Sequence, residues 1–322
     1  MAASAKPFTV ALEEHYWDEE LAKHFTGRDG SRAPRILERL FDLGALRIKE
    51  MDEVGIDVQV ISHGAPSTQR LDAATAVRLA REVNDRLHRA VEAHRDRFAA
   101  FAVLPTPDPK AAADELERAV ARLGFKGAMI HGLTNGTFHD DKRFWPIYER
   151  AKALDVPIYV HPAYPHQGVV DLYYKDYVAD FPGFPTAGWG FTVETATQAI
   201  RLVISGVFDE YPGLKIILGH MGEGLPFLLW RIDQALSRPG NRRTTSFRDT
   251  FCEHFWITTS GNFSTPALLC SVLEMGADRV LFSVDWPFVA NPPGAEWMQG
   301  LSISAEDKAK ILGGNAKRLL KL

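Results

Sequence analysis

Cysteine and long apolar runs are scarce in this sequence. Its 322 residues include two cysteines, Cys252 and Cys270, both in apolar surroundings. A secreted protein of this size usually carries more, so we predict two buried free thiols in a reducing compartment. No stretch approaches the ~18 apolar residues of a membrane span, and the first ten residues lack the apolar core of a signal peptide. These absences predict a cytoplasmic protein with no membrane partner.

Clustered charge and nucleotide-binding glycine patterns are absent as well. The net charge is −4 and no basic cluster occurs, which argues against nucleic acid or an anionic membrane surface as a partner. The GxGxxG and GxxxxGK(S/T) patterns of nucleotide-binding loops are missing, and so is the GxSxG pattern of serine hydrolases. With 46% hydrophobic and 24% charged residues, the composition suits one large globular domain or two small ones.

Short apolar runs alternate with helical patterns along the whole chain. The predicted strands cover 8–12, 58–62, 98–104, 127–132, 157–161, 214–220, 255–261 and 279–285. Most are continuously apolar, as strands buried on both faces of a parallel sheet are. Eight strands, each followed by a helix, predict an α/β fold: a single (β/α)8 TIM barrel over residues 1–322. A doubly wound open sheet is the alternative, but a glycine-rich turn would more often follow its first strand.

Two long insertions interrupt this alternation and should lie on the C-terminal face of the barrel. Residues 18–50 form a charged, partly helical excursion after the first strand. Residues 162–191 follow the fifth strand and are rich in aromatic residues, proline and glycine. Long loops at a functional face are often lids or binding loops, so the second insertion is predicted to be a lid or specificity loop.

Residues able to bind a metal ion follow several predicted strands. Glu13 and His15 are two residues apart, so their side chains project from one face of the first strand. His161 follows the fifth strand, and Asp285 lies in the apolar segment VLFSVDWP. Each has an ordinary alternative: a polar turn for EEH, a packing histidine, or a carboxylate paired or pKa-shifted by burial.

The conjunction of these four residues is more informative than any one of them. In a barrel all strand C-termini open onto one face, so two carboxylates and two imidazoles would meet and hold one divalent ion. The oxygen ligands favour Mn²⁺, and the two imidazoles leave Zn²⁺ open. No organic cofactor is indicated.

A histidine and a glutamate follow the sixth strand in the segment GHMGEGLP. Its glycines allow a tight turn into a helix, and Glu223 is placed to hydrogen-bond His220 and to set its tautomer, as in acid–base pairs. The alternative is a simple glycine-rich turn with a capping glutamate. Arg231, further along the helix, is interpreted either as a buried ion-pair partner of Asp233 or Glu223, or as a clamp for a substrate carboxylate.

The remaining histidines are expected to be secondary. His63 and His131 follow strands and are interpreted as neighbours of the ligands. His166, in the long insertion, is within reach of a substrate. The others are expected to face solvent: His24, His88, His94, His139 and His254.

The motifs together resemble a known family. VALEEH, the HP after the fifth strand, IILGHMGEGLPFLLWRID, ITTSGNF and RVLFSVDWPF are similar to the amidohydrolase-superfamily decarboxylases of hydroxybenzoates. γ-Resorcylate (2,6-dihydroxybenzoate) and 2,3-dihydroxybenzoate decarboxylases are the most similar groups. The resemblance implies a barrel of the amidohydrolase type. It departs after His161, where Ala163 and Tyr164 replace the arginine or similar residues of close relatives, so it leaves the substrate open.

The resemblance also implies roles for individual residues. Glu13, His15, His161 and Asp285 match the metal ligands, and His220 with Glu223 matches the active-site pair. Arg231 matches an arginine that contacts the substrate carboxylate in some members. Phe288 matches an aromatic residue that packs against the substrate ring. Glu-x-His in place of His-x-His on the first strand, and the absence of a lysine on the fourth, favour a mononuclear, non-hydrolytic site.

A reaction follows from this set of groups. Loss of CO2 from an aromatic acid requires protonation of the ring carbon that carries the carboxylate, and an ortho-hydroxyl group makes both metal chelation and this protonation favourable. Asp285 is predicted to supply the proton, and His220, oriented by Glu223, to deprotonate or stabilise the phenol. Tyr164, Trp189 and Phe191 are predicted to contact the ring.

Other functions remain open at this point. The same ligands could activate water in a hydrolase of a lactone or cyclic amide, and a non-catalytic barrel that binds an aromatic acid is a third interpretation. The expected partner is a small aromatic carboxylic acid, and the expected assembly is a homodimer or homotetramer.

Overall fold

Parallel strands follow one another in chain order around the molecule. The strands are β1 Val10–Tyr16, β2 Val58–His63, β3 Phe98–Ala100, β4 Ala102–Val103, β5 Ala128–His131, β6 Ile158–His161, β7 Ile216–Leu218, β8 Phe255–Thr258 and β9 Val280–Leu281. The computed structural model, which describes residues 7–237 and 246–322, places them in two parallel sheets, β1-β2-β3 and β4-β5-β6-β7-β8-β9. Consecutive strands pair side by side, as predicted for a barrel.

The third predicted strand, 98–104, is divided into two short strands. β3 pairs with β2, whereas β4 pairs with β5. Between them the Phe101 N–H still donates to the Ile61 carbonyl at 3.0 Å, and the Ala102 N–H donates to the Gly127 carbonyl at 2.9 Å. The chain thus transfers its pairing from one neighbour to the other, and the two sheets form one continuous wall with eight strand positions.

The seam between β1 and β9 is closed differently. These two strands share no backbone ladder within the described residues. A main-chain hydrogen bond crosses the seam, from the His15 N–H to the Trp286 carbonyl at 2.6 Å. The hydroxyl oxygen of Ser283 accepts from the N–H groups of Leu12 (3.1 Å) and Glu13 (2.6 Å). Side chains therefore complete the barrel where its first and last strands meet.

The longer helices cover the outside of the wall, and short helical turns such as His220–Glu223 follow strands at its C-terminal end. They are α1 Glu19–Ala22, α2 Pro34–Leu40, α3 Ala45–Val54, α4 Ala73–Ala93, α5 Pro109–Leu123, α6 Trp145–Leu154, α7 Gln167–Val169, α8 Gly190–Ser205, α9 Val207–Glu210, α10 His220–Glu223, α11 Leu225–Leu236, α12 Phe247–His254, α13 Thr265–Met275, α14 Asn291–Gly300, α15 Ala305–Ala309 and α16 Asn315–Leu320. The N-terminus of α5 shows why they begin where they do: Asp108 accepts from the Ala111 N–H at 3.0 Å, and Pro109 occupies the first turn.

The core has two layers because the strands are buried on both faces. One apolar cluster fills the interior of the barrel and includes Val10, Leu12, Val60, Phe101 and Ile217. A larger cluster lies between the strands and the surrounding helices. This two-sided burial explains the continuously apolar strand segments, and it leaves the strand ends as the place where polar side chains can gather.

Three expectations about burial need correction or restatement. Cys252 and Cys270 are free, as predicted, but each is half-buried, because each lies on a helix outside the strand wall. His139 and His254, predicted to face solvent, are buried. The Nδ1 atom of His254 bonds to the Leu214 carbonyl at 2.8 Å, and its ring stacks on Phe208. Among the described helices, none has both the length and the apolar character needed to cross a bilayer.

Candidate metal centre and acid–base pair

Four potential metal ligands meet at the C-terminal ends of the strands. Glu13 and His15 come from β1, His161 ends β6, and Asp285 follows β9. Each offers one ligand atom, and these atoms all lie within 4.8 Å of one another. The structure therefore brings together the set predicted from strand ends, and it does so because alternate residues of β1 point to the same side while parallel strands end at the same face.

The ligand atoms of this cluster lack ordinary partners. Glu13 Oε1, His15 Nε2 and Asp285 Oδ1 are buried and make no hydrogen bond of suitable geometry. His15 Nε2 is 3.3 Å from Asp285 Oδ1, and His161 Nε2 is 3.1 Å from Glu13 Oε1. Buried polar atoms of native proteins are normally satisfied, so this convergence of unsatisfied oxygen and nitrogen atoms fits a divalent cation.

The far nitrogen of each ligand histidine has a partner. His161 Nδ1 is 2.6 Å from the Pro162 carbonyl, so it carries the proton and leaves the Nε2 lone pair for a metal. His15 Nδ1 lies 3.3 Å from the hydroxyl of Ser62. Burial, foremost, lowers the pKa of His15, which keeps this imidazole in the neutral form that metal binding requires.

Glu13 is held by hydroxyl groups that the sequence did not point out. The hydroxyls of Tyr159 and Ser260 donate to Glu13 Oε2, and Thr258 Oγ1 donates to the same oxygen at 3.2 Å. Burial opposes ionisation of Glu13, but neighbouring imidazoles, led by His220, hold its pKa well below its usual range. The signal was present, since Tyr159 lies two residues before His161 and Thr258 two before Ser260, and alternate strand residues share a face.

The acid–base pair lies directly beside the cluster. His220 Nδ1 is 2.8 Å from Glu223 Oε1, as the sequence predicted, and Thr192 donates to Glu223 Oε2 at 2.8 Å. His220 Nε2 is 3.4 Å from Glu13 Oε1 and 3.9 Å from Asp285 Oδ2. Although burial opposes it, the carboxylates of Glu13 and Glu223 raise the pKa of His220 well above its usual value. The imidazole can therefore hold a proton next to the candidate metal site.

Phe288 lies beside the cluster and is partly exposed. Its ring centroid is 5.6 Å from that of His15, and its side chain is 38% exposed. The guanidinium of Arg32 lies over two aromatic rings, 5.8 Å from the centroid of Phe288 and 5.0 Å from that of Trp17. Arg32 comes from the first insertion, and its sequence context, RDGSRAP, gave no indication of this position.

The residues predicted from the long insertion are less closely joined to the cluster. Tyr164 lines a cavity of about 480 Å³ between the two insertions, where Arg28 lies over its ring and Arg70 donates to its carbonyl at 2.8 Å. Trp189 is 53% exposed at the start of α8, and Phe191 is half-buried in the first turn of that helix. Within the described ranges, no ring contact joins these three residues to the ligand histidines.

Arg231 does not occupy a buried position. Its side chain is exposed on α11, so the interpretation as a buried ion-pair partner is wrong. Glu223 is instead held by His220 and Thr192. Asp233 is held by Ser246 at 2.8 Å and by other donors of its surroundings. The apolar residues around Arg231 in the sequence were misleading because several of them are themselves exposed.

The neighbouring histidines are arranged behind the ligands. His131 Nδ1 is 3.0 Å from His161 Nδ1, and burial, foremost, lowers the pKa of His131 well below its usual value. His63 accepts from the Asp18 N–H at 3.0 Å. Both therefore lie beside the cluster and outside it, as predicted, whereas His166 is exposed and caps the first turn of α7 through its Nδ1 atom.

Comparison with known proteins identifies the family. The amidohydrolase family model matches residues 15–322, nearly the whole chain. The chain belongs to the amidohydrolase family. The family assignment inferred from the motifs is thereby confirmed.

Individual members of the family are similar over their full length. A γ-resorcylate decarboxylase of Polaromonas sp. strain JS666 is 43% identical over 325 residues, covering 97% of this chain and 98% of the relative. A crystal structure of dihydroxybenzoic acid decarboxylase from Polaromonas sp. JS666, with bound manganese and the inhibitor 2-nitroresorcinol, has a TM-score of 0.89 at 42% identity and covers 98% of both chains. The 5-carboxyvanillate decarboxylase of Sphingomonas paucimobilis has a TM-score of 0.91 at 32% identity, covering 98% of this chain and 100% of its own.

Proposed function

We propose that this chain is a metal-dependent, non-oxidative decarboxylase of an ortho-hydroxybenzoate, with 2,6-dihydroxybenzoate as the first substrate to test and 2,3-dihydroxybenzoate or a related salicylate as alternatives. The observation that carries the proposal is the convergence of unpartnered buried ligand atoms from Glu13, His15 and Asp285 next to the His220–Glu223 pair. The γ-resorcylate decarboxylases at about 40% identity support the reaction class.

Glu13, His15, His161 and Asp285 would hold one divalent ion. Mn²⁺ is favoured because half of the donor set is carboxylate oxygen and because manganese is bound in a similar decarboxylase, while two imidazoles keep Zn²⁺ as the alternative. The bound ion would supply Lewis acidity for a phenol and a carboxylate that lie next to each other on a ring. No organic cofactor is part of the proposal.

Asp285 is proposed to have two functions through its two oxygens. Oδ1 faces His15 within the ligand cluster, whereas Oδ2 faces His220 Nε2 at 3.9 Å. A protonated Asp285 can deliver its proton to the ring carbon that carries the carboxylate. The C–C bond then breaks, its electrons return to the ring, and CO2 leaves. His220 takes up or holds the phenol proton, and Glu223 keeps the imidazole oriented through Nδ1.

The ring itself is proposed to lie against Phe288, with Tyr164, Trp189 and Phe191 of the second insertion closing over it. Phe288 is already beside His15, and its exposed fraction leaves its face available. The other three residues stand at the two ends of an insertion that is joined to the site through Thr192 and Glu223. A movement of this insertion toward the cluster would complete an aromatic enclosure.

The decisive experiment is a substrate series with Mn²⁺-loaded protein. CO2 release should be found with 2,6-dihydroxybenzoate, 2,3-dihydroxybenzoate or salicylate, and not with benzoate, 3-hydroxybenzoate or 4-hydroxybenzoate, because these lack an ortho-hydroxyl group. Turnover of 4-hydroxybenzoate at a comparable rate would refute the mechanism. Opening of lactones or cyclic amides without any CO2 release would favour the hydrolase alternative.

Arg231 is proposed to contact the substrate carboxylate, on the strength of the motif alone. Arg231→Lys keeps the charge and loses the planar fork, so KM should rise about tenfold while the melting temperature stays within a degree of wild type. The exposed position predicts that small effect on stability. An unchanged KM would remove Arg231 from the substrate site.

The assembly is proposed to be a homodimer or homotetramer. Helices α11 and α13 carry exposed apolar side chains, with Phe227 at 81%, Trp230 at 68% and Leu273 at 83% exposed. Exposed apolar side chains on neighbouring helices often mark an interface between protein chains. Sedimentation velocity at micromolar concentration should show more than one chain per particle, and Phe227→Asp with Trp230→Asp should shift the protein toward the monomer.

Two further expectations stay proposals. The chain is proposed to act as one domain over residues 1–322, which a single cooperative unfolding transition would support. A cytoplasmic location is proposed from the low cysteine content.

A further inference from the structure

The middle residue of the EEH motif points away from the metal cluster and toward the barrel seam. Glu14 is fully buried between its neighbours Glu13 and His15. Its Oε1 atom accepts from the Ser283 hydroxyl at 2.9 Å and from the Val284 N–H at 2.9 Å. Its Oε2 atom accepts from the Trp286 N–H at 3.1 Å. The side chain of Glu14 on β1 therefore binds the backbone on both sides of Asp285.

The segment bound by Glu14 is the one that needs support. Asp285 has φ of +78°, in the left-handed region that residues with a Cβ rarely adopt. The flanking N–H groups of Val284 and Trp286 both point to Glu14, so this turn is held on one carboxylate. Without Glu14, the buried N–H groups of Val284 and Trp286 would lose their acceptor on either side of Asp285, a candidate metal ligand.

Arg47, on α3, contacts both β1 and the segment that contains Trp286. Its side chain is fully buried, and Nη2 donates to the His15 carbonyl at 2.6 Å. The guanidinium carbon lies 4.0 Å from the centroid of the Trp286 ring. Gln59 connects Arg47 with Glu14, since its Oε1 accepts from Arg47 at 3.1 Å and its Nε2 lies 3.5 Å from Glu14 Oε2.

Both backbone groups of His15 are thereby fixed, one across the seam and one by α3. Its N–H donates to the Trp286 carbonyl at 2.6 Å and its carbonyl accepts from Arg47. Trp286 in turn is fixed through its N–H by Glu14 and through its ring by Arg47. In the described part of the chain β1 and β9 share no ladder, so these side-chain contacts hold the two segments together where His15 Nε2 lies 3.3 Å from Asp285 Oδ1.

We propose that Glu14 and Arg47 are positioning residues that close the barrel seam and set the separation of the two metal-binding side chains His15 and Asp285. Neither residue touches the metal or the substrate. The inference rests on the proposed metal site and adds to it the buried pair that adjusts its geometry.

Glu14→Gln is the sharpest test because it changes one atom. A glutamine has one acceptor oxygen, so it can serve Ser283 and Val284 while its NH2 group faces the Trp286 N–H as a second donor. Substitution of residues that orient metal ligands typically costs 10- to 100-fold in metal affinity or activity. We expect a loss of Mn²⁺ affinity in that range.

The matched control, Asp57, directly precedes β2 at the opposite end of the barrel. Asp57 Oδ2 accepts from the Thr9 N–H at 2.7 Å, just before β1 and β2 begin. Asp57→Asn makes the same chemical change at the end of the barrel remote from the cluster, so its Mn²⁺ affinity should stay within twofold of wild type. Ser283→Ala removes one donor to Glu14 and an acceptor of the seam, and it should weaken Mn²⁺ binding even if Glu14→Gln fails to fold.

The measurements are Mn²⁺ titration by calorimetry, the d–d absorption spectrum of the Co²⁺-substituted protein, and thermal melting. Weaker binding and an altered Co²⁺ spectrum in Glu14→Gln, Ser283→Ala and Arg47→Lys, with both unchanged in Asp57→Asn, would support the proposal. Wild-type affinity and spectrum in folded Glu14→Gln or Ser283→Ala would overturn it. A wild-type protein that binds no Mn²⁺ or Zn²⁺ would contradict the proposed function itself, which is a separate result.

Discussion

At the residue scale, the site is built from side chains in unusual backbone conformations. His220, Glu223 and Asp285 all have positive φ, at 52°, 55° and 78°. Such conformations cost roughly 1–3 kcal/mol each for residues with a Cβ, so the surrounding structure must hold them in place. They cluster at the end of the barrel where the candidate ligands meet. We interpret the strain as the cost of directing these side chains into one small volume.

Asp285→Asn should separate metal binding from proton delivery. Asparagine can still coordinate weakly through its oxygen, but it cannot donate an acidic proton to a ring carbon. We expect measurable Mn²⁺ binding with reduced affinity and a decarboxylation rate below about 1% of wild type, in line with the size of general acid contributions. If the rate stayed above a few per cent, His220 would replace Asp285 as the acid. Metal content by elemental analysis and single-turnover CO2 release are the two measurements.

Gly219→Ala should weaken metal binding because the added methyl group would collide with a carboxyl oxygen of Glu13. The backbone φ of Gly219 is −73°, which alanine adopts freely, but its Cβ would lie 2.7 Å from Glu13 Oε2. Glu13 cannot move aside easily because Tyr159, Thr258 and Ser260 hold that oxygen. We expect about a tenfold or larger loss of Mn²⁺ affinity. Gly300→Ala is the matched control, since nothing lies within 4 Å of the added methyl group. Equal affinities in the two variants would contradict the prediction.

At the scale of elements, the first insertion is joined to helix α4 through Asp18, the N-cap residue of α1. Asp18 accepts from the N–H groups of Glu20 and Leu21 at the start of α1. The same carboxylate receives two bonds from Arg86 on α4, at 2.6 and 2.9 Å. Burial opposes the charge, but Arg86 and the helix N–H groups hold the pKa of Asp18 below its usual range. One carboxylate thus joins the helix that follows β1 to the helix that follows β2.

Asp18→Asn should therefore reduce stability in a pH-dependent manner. Asparagine can still cap α1, so the variant isolates the charged contact with Arg86. A lowered pKa in the folded protein means that the stabilisation is complete above the unfolded value of about 4 and is lost as the pH falls through the folded value. We expect a difference of about 1 kcal/mol in urea unfolding at pH 7 and a much smaller one at pH 3. A difference of equal size at both pH values would show that the charge is not responsible.

At the scale of the whole molecule, two carboxyl groups of the candidate site lie at the C-terminal end of the barrel. Glu13 is completely buried, and Asp285 has a buried oxygen without a partner. Buried charges without compensation destabilise a fold by several kcal/mol. A divalent ion would neutralise both carboxylates at once. We therefore expect metal binding at the candidate centre to stabilise the closed barrel.

Metal removal should be visible as a loss of stability as well as of activity. A ligand present at 100 times its dissociation constant stabilises the native state by about 2.7 kcal/mol. Chelator-treated protein should melt several degrees lower than the Mn²⁺ form, regain both stability and CO2 release on addition of Mn²⁺ or Zn²⁺, and contain about one ion per chain when reloaded. His161→Ala should abolish the Mn²⁺-dependent rise in melting temperature. Full activity in metal-free protein would contradict the metal dependence.

The sequence by itself determined which residues stand at the strand ends. A period of two places Glu13 and His15 on one face, and apolar runs that stop at His161 and His220 mark the common edge of a parallel sheet. The spacing of His220 and Glu223 on a glycine-rich turn likewise predicted their hydrogen bond, which is observed. These features depend on residues a few positions apart, and local backbone geometry decides them.

Only the tertiary structure decided which distant groups complete the site. Glu14 finds its partners about 270 residues away at Ser283, Val284 and Trp286. The burial of His254 and the exposure of Arg231 depend on which helix face meets the wall, and the burial of His139 depends on how the loop after β5 packs. One-dimensional patterning left all three ambiguous. Closure of a barrel brings the first and last strands together, and no short-range pattern records which side chains will face each other across that seam.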